Sequence, residues 1–213
     1  MVAHQRLIAS DGYEVLLFPL PYIYISQGEN GSYSHQDTYN IDFLGWGANG
    51  RIYQCPYYAP CTLKCVRVTG TTVDWESVNK VHFVDGTFDY VTIGFTHDDN
   101  TSIHYVGEII QQGELIGHTG TAGNVTGDHL HLNTAKGHYA GYYDVGTGQY
   151  QLKNSTHIYN TMADNDTVIV NGYGYNWQEY QGGIPPLRHT KNKKFKWVLY
   201  ARKLRNKNLN INT

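Results

Sequence analysis

The sequence predicts an all-β fold, in which an antiparallel sheet carries a groove and a loop-rich extension follows at the C-terminal end. The chain of 213 residues contains 19 tyrosines and 23 glycines, and tyrosine, threonine and valine are favoured in strands. Short apolar segments alternate with glycine-containing turns, and no segment before residue 150 has a convincing helical period. Aromatic residues make up 14% and charged residues 16%, which excludes a disordered chain.

The first thirty residues are expected to form a leader with one or two strands. Their apolar run, Val15 to Ile25, follows Asp11 and Glu14 and is interrupted by two prolines, which is not typical of a signal peptide. No apolar run reaches the ~20 residues that a membrane-spanning helix needs. We therefore expect neither an export signal nor a membrane span.

The central part of the sequence predicts a series of short strands. The segment APCTLKCVRVTG predicts one strand that ends in a turn. Asp85-Gly86 is a strong turn signal and predicts a hairpin between Val81–Val84 and Tyr90–Phe95. The segment YVGEIIQQGELIGHTG then predicts two short strands joined through Gln112-Gly113.

Three cysteines, Cys55, Cys61 and Cys65, lie within eleven residues. An odd, local set does not form a disulfide framework, and no fourth ligand is spaced for a structural zinc site. Because Cys61, Leu63 and Cys65 alternate as one face of a strand would, we expect small buried hydrophobic residues.

Charge and composition divide the chain into three predicted segments. Residues 1–155 form the main domain, residues 156–187 an extension and linker with a possible strand at Thr167–Val170, and residues 188–213 a basic tail. Seven basic and 18 acidic residues precede the tail, a net charge of −11, whereas the tail has nine basic residues and no acidic one. Such a tail either binds an anionic polymer or lies on the acidic body of its own chain.

The segment GHTGTAGNVTGDHLHL contains the candidate site around which the chain is organised. In a strand, His129 and His131 point to the same face, and the glycines before them predict a tight loop. The loop lacks the Lys-Ser/Thr ending of a phosphate-binding loop. Two neutral imidazoles in one cleft suit a metal ion and the water that it activates. The alternative is that these are packed or solvated histidines, since the chain contains 11.

Further residues of the same chemical type precede this segment, namely His35, Asp42 and His97. A catalytic zinc ion takes three protein ligands and leaves a fourth position to water, whose pKa falls toward ~7. A histidine and an aspartate from one segment, with one histidine of the HLH sequence, would complete such a set. The remaining histidines could transfer protons and stabilise an oxyanion.

The motifs SHQDTYNID, GFTHDDN and VGEIIQQGELIGHTGTAGNVTGDHLHL, in this order, resemble those of the lysostaphin-type zinc endopeptidases, which cut peptidoglycan cross-links. The resemblance covers about residues 30 to 135. It implies that His35, Asp42 and His131 bind one Zn²⁺ ion per chain. It also implies that His97 and His129 are the catalytic pair, and it assigns no substrate-binding residue.

Two departures from the family pattern concern this site. Many members have the aspartate four residues after the first histidine, whereas Asp42 lies seven residues after His35, and Asp37 lies at another candidate position. We prefer Asp42 because the sequence IDF places it in an apolar, strand-like context. The acidic residue that usually follows the His-x-His-Phe sequence is replaced by Leu132-Asn133.

The other histidines and the nearby tyrosines receive a structural interpretation. We expect His104 and His118 to be packed or solvated, although either could line the groove. Tyr39, Tyr57 and Tyr58 could bind a peptide, but tyrosine in a β-groove more often packs.

The function predicted on this basis is hydrolysis of amide bonds in the peptide stems or cross-bridges of bacterial peptidoglycan, by attack of a zinc-bound water. The missing signal peptide fits a bacteriophage lysin or tail-associated enzyme, which is made in the host cytoplasm and reaches the wall through a holin or on the virion. We expect the basic tail to bind an anionic wall polymer and not nucleic acid. The alternative is a degenerate relative that serves as a wall-binding or structural virion module. A biotinyl- or lipoyl-carrier domain is disfavoured because no lysine lies between Lys80 and Lys136.

Overall fold

The computed structural model of the chain describes residues 3–146 and 148–162. In these residues the fold is all-β, with two short 3₁₀ helices at Thr101–Ile103 and Ile158–Asn160 and no α-helix. The strands are β1 (Ile25–Gln27), β2 (Ile41–Phe43), β3 (Trp46–Gly47), β4 (Gly50–Arg51), β5 (Pro56–Tyr58), β6 (Leu63–Val68), β7 (Thr72–Ser77), β8 (Val81–His82), β9 (Phe88–Asp89), β10 (Val91–Thr96), β11 (Ile109–Ile110), β12 (Leu115–His118), β13 (Leu130–Lys136), β14 (Tyr142–Asp144) and β15 (Tyr150–Leu152). The strand predicted at Thr167–Val170, the linker and the basic tail lie outside the described residues.

The main sheet contains seven strands in the order β1-β2-β13-β10-β7-β6-β11, and each neighbouring pair is antiparallel. The predicted antiparallel all-β fold is therefore confirmed. The remaining described strands pair in two-stranded sheets.

Strand β13 shows why the main sheet has a core face and a groove face. Leu130 and Leu132 are fully buried, whereas His131 and Asn133 alternate with them and point to the opposite side. The core face also carries Trp75, Phe43 and Phe95, each at 2% exposure or less, together with other apolar side chains. The period of two in HLHLN thus places apolar side chains in the core and polar ones in the groove.

The hairpin predicted around Asp85-Gly86 forms, but with a different second strand. Gly86 has a φ of +89°, and the turn joins β8 to the two-residue strand β9. The prediction that Tyr90–Phe95 completes this hairpin was wrong, because β10 lies between β7 and β13 at the centre of the main sheet. A nearly continuous buried strand such as β10 is typical of a central position.

The two short strands predicted on either side of Gln112-Gly113 are present as β11 and β12, although they pair with β6 and β5 and not with each other. The buried side chain of Gln112 donates to the carbonyls of Val15 and Pro60 and accepts from the N–H of Leu7. This turn therefore fixes the N-terminal segment against the body.

The N-terminal apolar run contributes to the core, with Leu16, Phe18 and Ile25 all at 3% exposure or less. The three cysteines are buried and free, as the sequence predicted. Within the described residues, no helix combines the length and apolar character that crossing a bilayer requires.

The last described residues pack against the body of the protein. Ile158 and Met162 are fully buried, and Thr161 accepts a backbone hydrogen bond from Val84. His157 reaches back to Glu29, with 2.6 Å between His157 Nδ1 and Glu29 Oε2. Burial raises the pKa of Glu29 to about 8, although a hydrogen bond from the backbone of Ile158 opposes the shift. Burial lowers the pKa of His157, so the pair is neutral near pH 7, with the carboxylic acid donating to the imidazole.

This buried carboxyl group predicts a pH-dependent stability. The pKa of Glu29 is higher in the folded chain than in the unfolded one, so its stabilising effect is present at pH 4 and is lost as pH rises toward 8. We expect the free energy of unfolding to fall as the pH rises through this window, by up to ~1.4 kcal/mol per pH unit. Urea unfolding between pH 4.5 and 8 should show that the Glu29→Gln variant lacks this slope. The exposed Glu114→Gln variant is the control and should retain it; equal slopes in all three proteins would contradict the assignment.

Candidate metal centre and its groove

Two strands of the main sheet place a carboxylate beside an imidazole. In the register of the sheet, His131 on β13 lies opposite Asp42 on β2 and opposite Thr96 on β10. Because these neighbours share one face, His131 Nδ1 lies 2.9 Å from Asp42 Oδ1. The two groups are 89 positions apart in the sequence.

His35 comes from the loop between β1 and β2 and is fully buried. Its Nδ1–H donates to the carbonyl of Gly28 at 3.1 Å, which turns Nε2 toward the sheet. His35 Nε2 then lies 3.3 Å from Asp42 Oδ1 and 3.2 Å from His131 Nδ1. The backbone N–H and hydroxyl of Thr38 both donate to the carbonyl of His35, which fixes the loop.

These three donor atoms form a triangle that fits a metal ion. Zinc–ligand bonds of 2.0–2.2 Å in tetrahedral geometry separate neighbouring donors by ~3.3–3.5 Å. The observed separations are 2.9, 3.2 and 3.3 Å. Two imidazole nitrogens and one carboxylate oxygen are the donors of an open, catalytic zinc site. His35, Asp42 and His131 therefore fit the ion that the sequence motifs imply.

Burial and charge keep the donor groups in the protonation forms that bind a metal ion. Burial by itself would raise the pKa of Asp42, but its polar contacts with His131 and His35 outweigh burial and hold that pKa well below its usual range. Burial lowers the pKa of His131, although the Asp42 carboxylate opposes the shift. An ionised carboxylate and an imidazole that resists protonation are the forms that bind a metal ion.

His97 stands directly after β10, in a backbone conformation that is uncommon for a residue with a side chain. Its φ is +79°, and its ring Nδ1–H donates to the carbonyl of Ala122 at 2.7 Å. Burial, together with the neighbouring histidines, lowers the pKa of His97 to about 4. The imidazole is therefore neutral at physiological pH and has a free Nε2.

His129 completes the group of four imidazoles. Its Nδ1–H donates to the carbonyl of Gly127 at 2.8 Å, and its Nε2 lies 3.5 Å from Asp42 Oδ1. The ring centroids of His129 and His97 are 4.6 Å apart. The imidazoles of His97 and His129 thus stand side by side next to the three donor atoms.

The glycine-rich loop before β13 fixes both of these histidines. Gly120 exchanges backbone hydrogen bonds with His129, at 3.0 and 3.2 Å. A Cβ atom at Gly120 would collide with the carbonyl oxygen of His97, so only glycine permits this close approach.

A buried carboxylate holds the end of the same loop. Asp128 is 7% exposed and accepts from the Thr119 hydroxyl at 2.8 Å, from the Gln54 backbone at 2.9 Å and from Arg51 at 3.1 Å. Arg51 also donates to the carbonyl of Gly45 at 2.9 Å. These contacts fix the residue that immediately precedes His129.

A groove passes over the candidate metal centre. It consists of two clefts, of about 610 Å³ and about 560 Å³, which share Ser34, His97, Asn124, His131 and Gln149. Tyr33 and Tyr53, at 76% and 72% exposure, lie along the larger cleft, and Tyr150, at 60%, lies along the smaller one. An extended chain could therefore pass the centre and contact residues on both sides.

The smaller cleft carries a fixed guanidinium group. Arg67 donates to the buried carboxylate of Asp74 at 2.6 Å, and the Tyr142 hydroxyl donates to the other oxygen of Asp74, also at 2.6 Å. The side chain of Arg67 is 40% exposed. It is therefore held at one end and accessible at the other, as a group that binds anions must be.

The structure brings all five predicted site residues together. Asp37, the other candidate carboxylate, lies on an exposed turn with a φ of +59° and is not part of the cluster. His104 is packed, with hydrogen bonds to Glu108 and to the carbonyl of Ile116, and His118 is exposed in a different cleft. Tyr57 is buried against Phe95 and does not line the groove.

Several groove residues were not predicted from the sequence. Arg51, Arg67 and Tyr142 depend on contacts between segments whose pairing the sequence does not reveal. Asn133 had a usable signal, because a residue two positions after His131 in a strand must share its face.

Comparisons with known proteins give sequence relatives and low-scoring structural ones. No family model matches the chain. The chain is 41% identical over 175 residues to "Morphogenesis protein 1" of Bacillus phage B103. The match covers 79% of this chain but only 45% of that protein, so the chain spans less than half the length of the relative.

Two solved structures illustrate the structural similarity. A zinc-containing peptidase from Vibrio cholerae aligns with a TM-score of 0.42 and 19% identity, over 61% of this chain and 40% of the other. The catalytic domain of lysostaphin from Staphylococcus simulans aligns with a TM-score of 0.39 and 18% identity, over 55% and 84%. These scores are low, and the function proposed below therefore rests on the geometry of the site itself.

The donor triangle predicts which carboxylate a metal ion requires. We expect purified protein to bind about one zinc ion per chain. Asp42→Ala should weaken zinc binding by more than the ~10–100-fold that the loss of an outer partner costs, because a donor atom disappears. Asp37→Ala, the matched control on the exposed turn, should bind zinc as the parent does. Metal analysis and chelator competition measure both, and zinc loss in Asp37→Ala alone would contradict the choice of carboxylate.

Proposed function

We propose that this chain is a zinc-dependent endopeptidase that hydrolyses amide bonds in the peptide stems or cross-bridges of bacterial peptidoglycan. The observation that carries this proposal is the triangle of His35, Asp42 and His131 at the floor of a groove, with two further imidazoles beside it. A zinc ion bound there would act as a Lewis acid and make hydroxide available near neutral pH.

The residues around the centre have the forms that this chemistry needs. His97, with a pKa of about 4, is neutral and can accept a hydrogen bond or a proton at Nε2. Its neighbour His129 directs Nε2 toward the same side of the site. We assign to this pair the proton transfers and the stabilisation of the oxyanion that forms as the amide carbonyl is attacked.

The groove supports a peptide substrate. It is open on both sides of the centre and is bordered by exposed tyrosines, which bind extended chains with little loss of side-chain entropy. Arg67 offers a cation to carboxylate groups of a stem peptide. The choice of the bacterial wall over other peptides is supported by the order and spacing of the three motifs that resemble those of lysostaphin-type enzymes.

A bacteriophage setting is proposed from the sequence relative, which is a protein of a Bacillus phage. An enzyme of this kind would reach the wall through a holin or as part of the virion. The name of that relative, "Morphogenesis protein 1", also favours a second candidate function, a structural or wall-binding role in the virion without catalysis. Hydrolysis of isolated walls separates the two functions.

Replacing either histidine of the proposed catalytic pair should reduce hydrolysis without loss of the zinc ion. His97→Ala and His129→Ala should each lower the rate of wall hydrolysis by about 10²–10⁴-fold, because they remove acid–base or oxyanion contributions. Zinc content should remain at the parent level, since neither residue belongs to the donor triangle. Release of soluble wall fragments, with their new termini identified by mass spectrometry, provides the measurement.

His104→Ala is the control for this experiment, because His104 is packed away from the groove. A folded His104→Ala protein should hydrolyse walls as the parent does. Zinc loss in His129→Ala equal to that of an Asp42→Ala variant would show that the two histidines of the HLH sequence exchange roles. Absence of hydrolysis by the zinc-loaded parent on all walls tested would favour the structural function.

We further propose that the basic tail, residues 188–213, attaches the protein to an anionic wall polymer such as teichoic acid. Its nine positive charges are interspersed with Phe195, Trp197 and Tyr200. The remainder of the chain carries a net charge of −11 and would be repelled by such a surface. The rival interpretation is that the tail packs on the acidic body.

Salt distinguishes these two interpretations of the tail. Exposed charge contacts are screened over ~8 Å at physiological ionic strength, whereas buried apolar contacts are not. We expect deletion of residues 188–213 to weaken wall binding at low salt and to have little effect at high salt, with unchanged hydrolysis of soluble wall fragments. A folded, truncated protein that binds walls at low salt as tightly as the full chain would rule out the adhesive role.

A further inference from the structure

The four imidazoles of the site do not all face it with the same ring nitrogen. His35, His97 and His129 each hold Nδ1 within 3.1 Å of a backbone carbonyl oxygen. A carbonyl can only accept, so Nδ1 carries the proton in all three. Their Nε2 atoms are therefore free of protons when the rings are neutral.

His131 is turned the other way. Its Nδ1 faces Asp42 Oδ1 at 2.9 Å and His35 Nε2 at 3.2 Å, so Nδ1 is the nitrogen that belongs to the donor triangle. A neutral imidazole that binds a metal through Nδ1 must carry its proton on Nε2. A partly buried N–H group of this kind is stabilised by an acceptor.

Asn133 is the residue that faces this nitrogen. Its side-chain amide nitrogen, Nδ2, lies 3.2 Å from His131 Nε2. The amide oxygen, Oδ1, is buried and has no hydrogen-bond partner among the described residues. The two ends of an amide are nearly identical in shape, so the hydrogen-bond network decides which end faces the imidazole.

Turning the amide by half a rotation gives the Nε2–H of His131 an acceptor. Oδ1 then faces Nε2–H, and the NH₂ group takes the place of the orphaned oxygen. Acceptors lie on this side of the sheet, where Asn133 pairs with Gly94 in the register of β10. Gly94 has no side chain, and Asp74 Oδ1 and the Tyr142 hydroxyl oxygen occupy the space above it, 2.8 and 2.5 Å from where a Cβ would be.

We propose that Asn133 is a positioning residue for the metal centre: its Oδ1 accepts the Nε2–H of His131 and thereby keeps Nδ1 free to bind zinc. This inference rests on the proposed function, because it presumes that the triangle holds a metal ion. Asn133 is not one of the three donor residues. It acts through His131, and no backbone carbonyl performs that task for this ring among the described residues.

The opposite orientation of the amide would favour the other tautomer of His131. If NH₂ donates to Nε2, the proton lies on Nδ1, and Asn133 then favours the tautomer that cannot bind zinc. Aspartate has nearly the shape of asparagine but, when ionised, only accepts. Asn133→Asp therefore keeps the contact in the first orientation and loses it in the second, whereas Asn133→Leu loses it in both.

Chelator competition on the full chain measures the zinc dissociation constant and tests this prediction. We expect Asn133→Leu to raise the dissociation constant about 10–100-fold, as is typical for loss of a partner that orients a metal-binding histidine. Asn133→Asp should remain within about threefold of the parent. Thr134→Val is the matched control, because Thr134 is buried on the same strand and its hydroxyl donates to the carbonyl of Thr156, away from the groove. Its zinc affinity should equal that of the parent.

The outcomes separate this inference from the proposed function. Parent-like affinity in Asn133→Leu, or equal weakening in Asn133→Asp and Asn133→Leu, overturns the role of Asn133 while zinc binding by the parent stands. A parent protein that binds no zinc overturns both. If Asn133→Leu does not fold, Asn133→Ala replaces it with the same expected direction, because alanine also removes the acceptor.

Discussion

The site depends on the register in which β13 lies between β2 and β10. This register places His131 opposite Asp42 on one side and Thr96, the residue before His97, on the other. Side chains alternate along a strand, so a slip by one residue would turn His131 into the core and Leu132 into the groove. The fully buried Leu130 and Leu132 make such a slip costly, and the apolar core therefore also specifies the metal centre.

A single carboxylate contacts three of the four imidazoles in this centre. Asp42 lies within 3.5 Å of a ring nitrogen of His35, His129 and His131. If these rings were protonated, the cleft would hold more positive charge than one carboxylate can balance, and a divalent cation would be repelled. Burial lowers the pKa of His97 and of His131, which opposes that protonation. Backbone carbonyls hold three of the rings in one tautomer and add no charge, so the negative charge at the centre remains that of Asp42.

The sequence predicted the floor of this site, that is, the metal centre and its imidazoles, better than its walls, the residues along the two clefts. The period of two in HLH and the apolar context of Asp42 each specify a direction for a side chain within a strand, and the structure brings these residues together. The prediction that Tyr90–Phe95 forms a hairpin with Val81–Val84 was wrong for a related reason. A local turn signal does not reveal that a buried strand pairs with two other strands, β7 and β13. The contacts of Asp128 with Arg51 and of Asp74 with Arg67 depend in the same way on tertiary register.

The division between floor and walls has a consequence for specificity. The floor residues lie on, or directly after, neighbouring strands of one sheet, or are held by backbone carbonyls, so their positions follow from the fold. The groups along the clefts, such as Tyr33, Tyr53 and Arg67, extend toward solvent. Substitutions in the walls can therefore change which peptide is bound while the donor triangle stays in place. The glycine-rich loop is the exception, because Gly120 touches both His97 and His129, and a change there alters the wall and the imidazole pair at once.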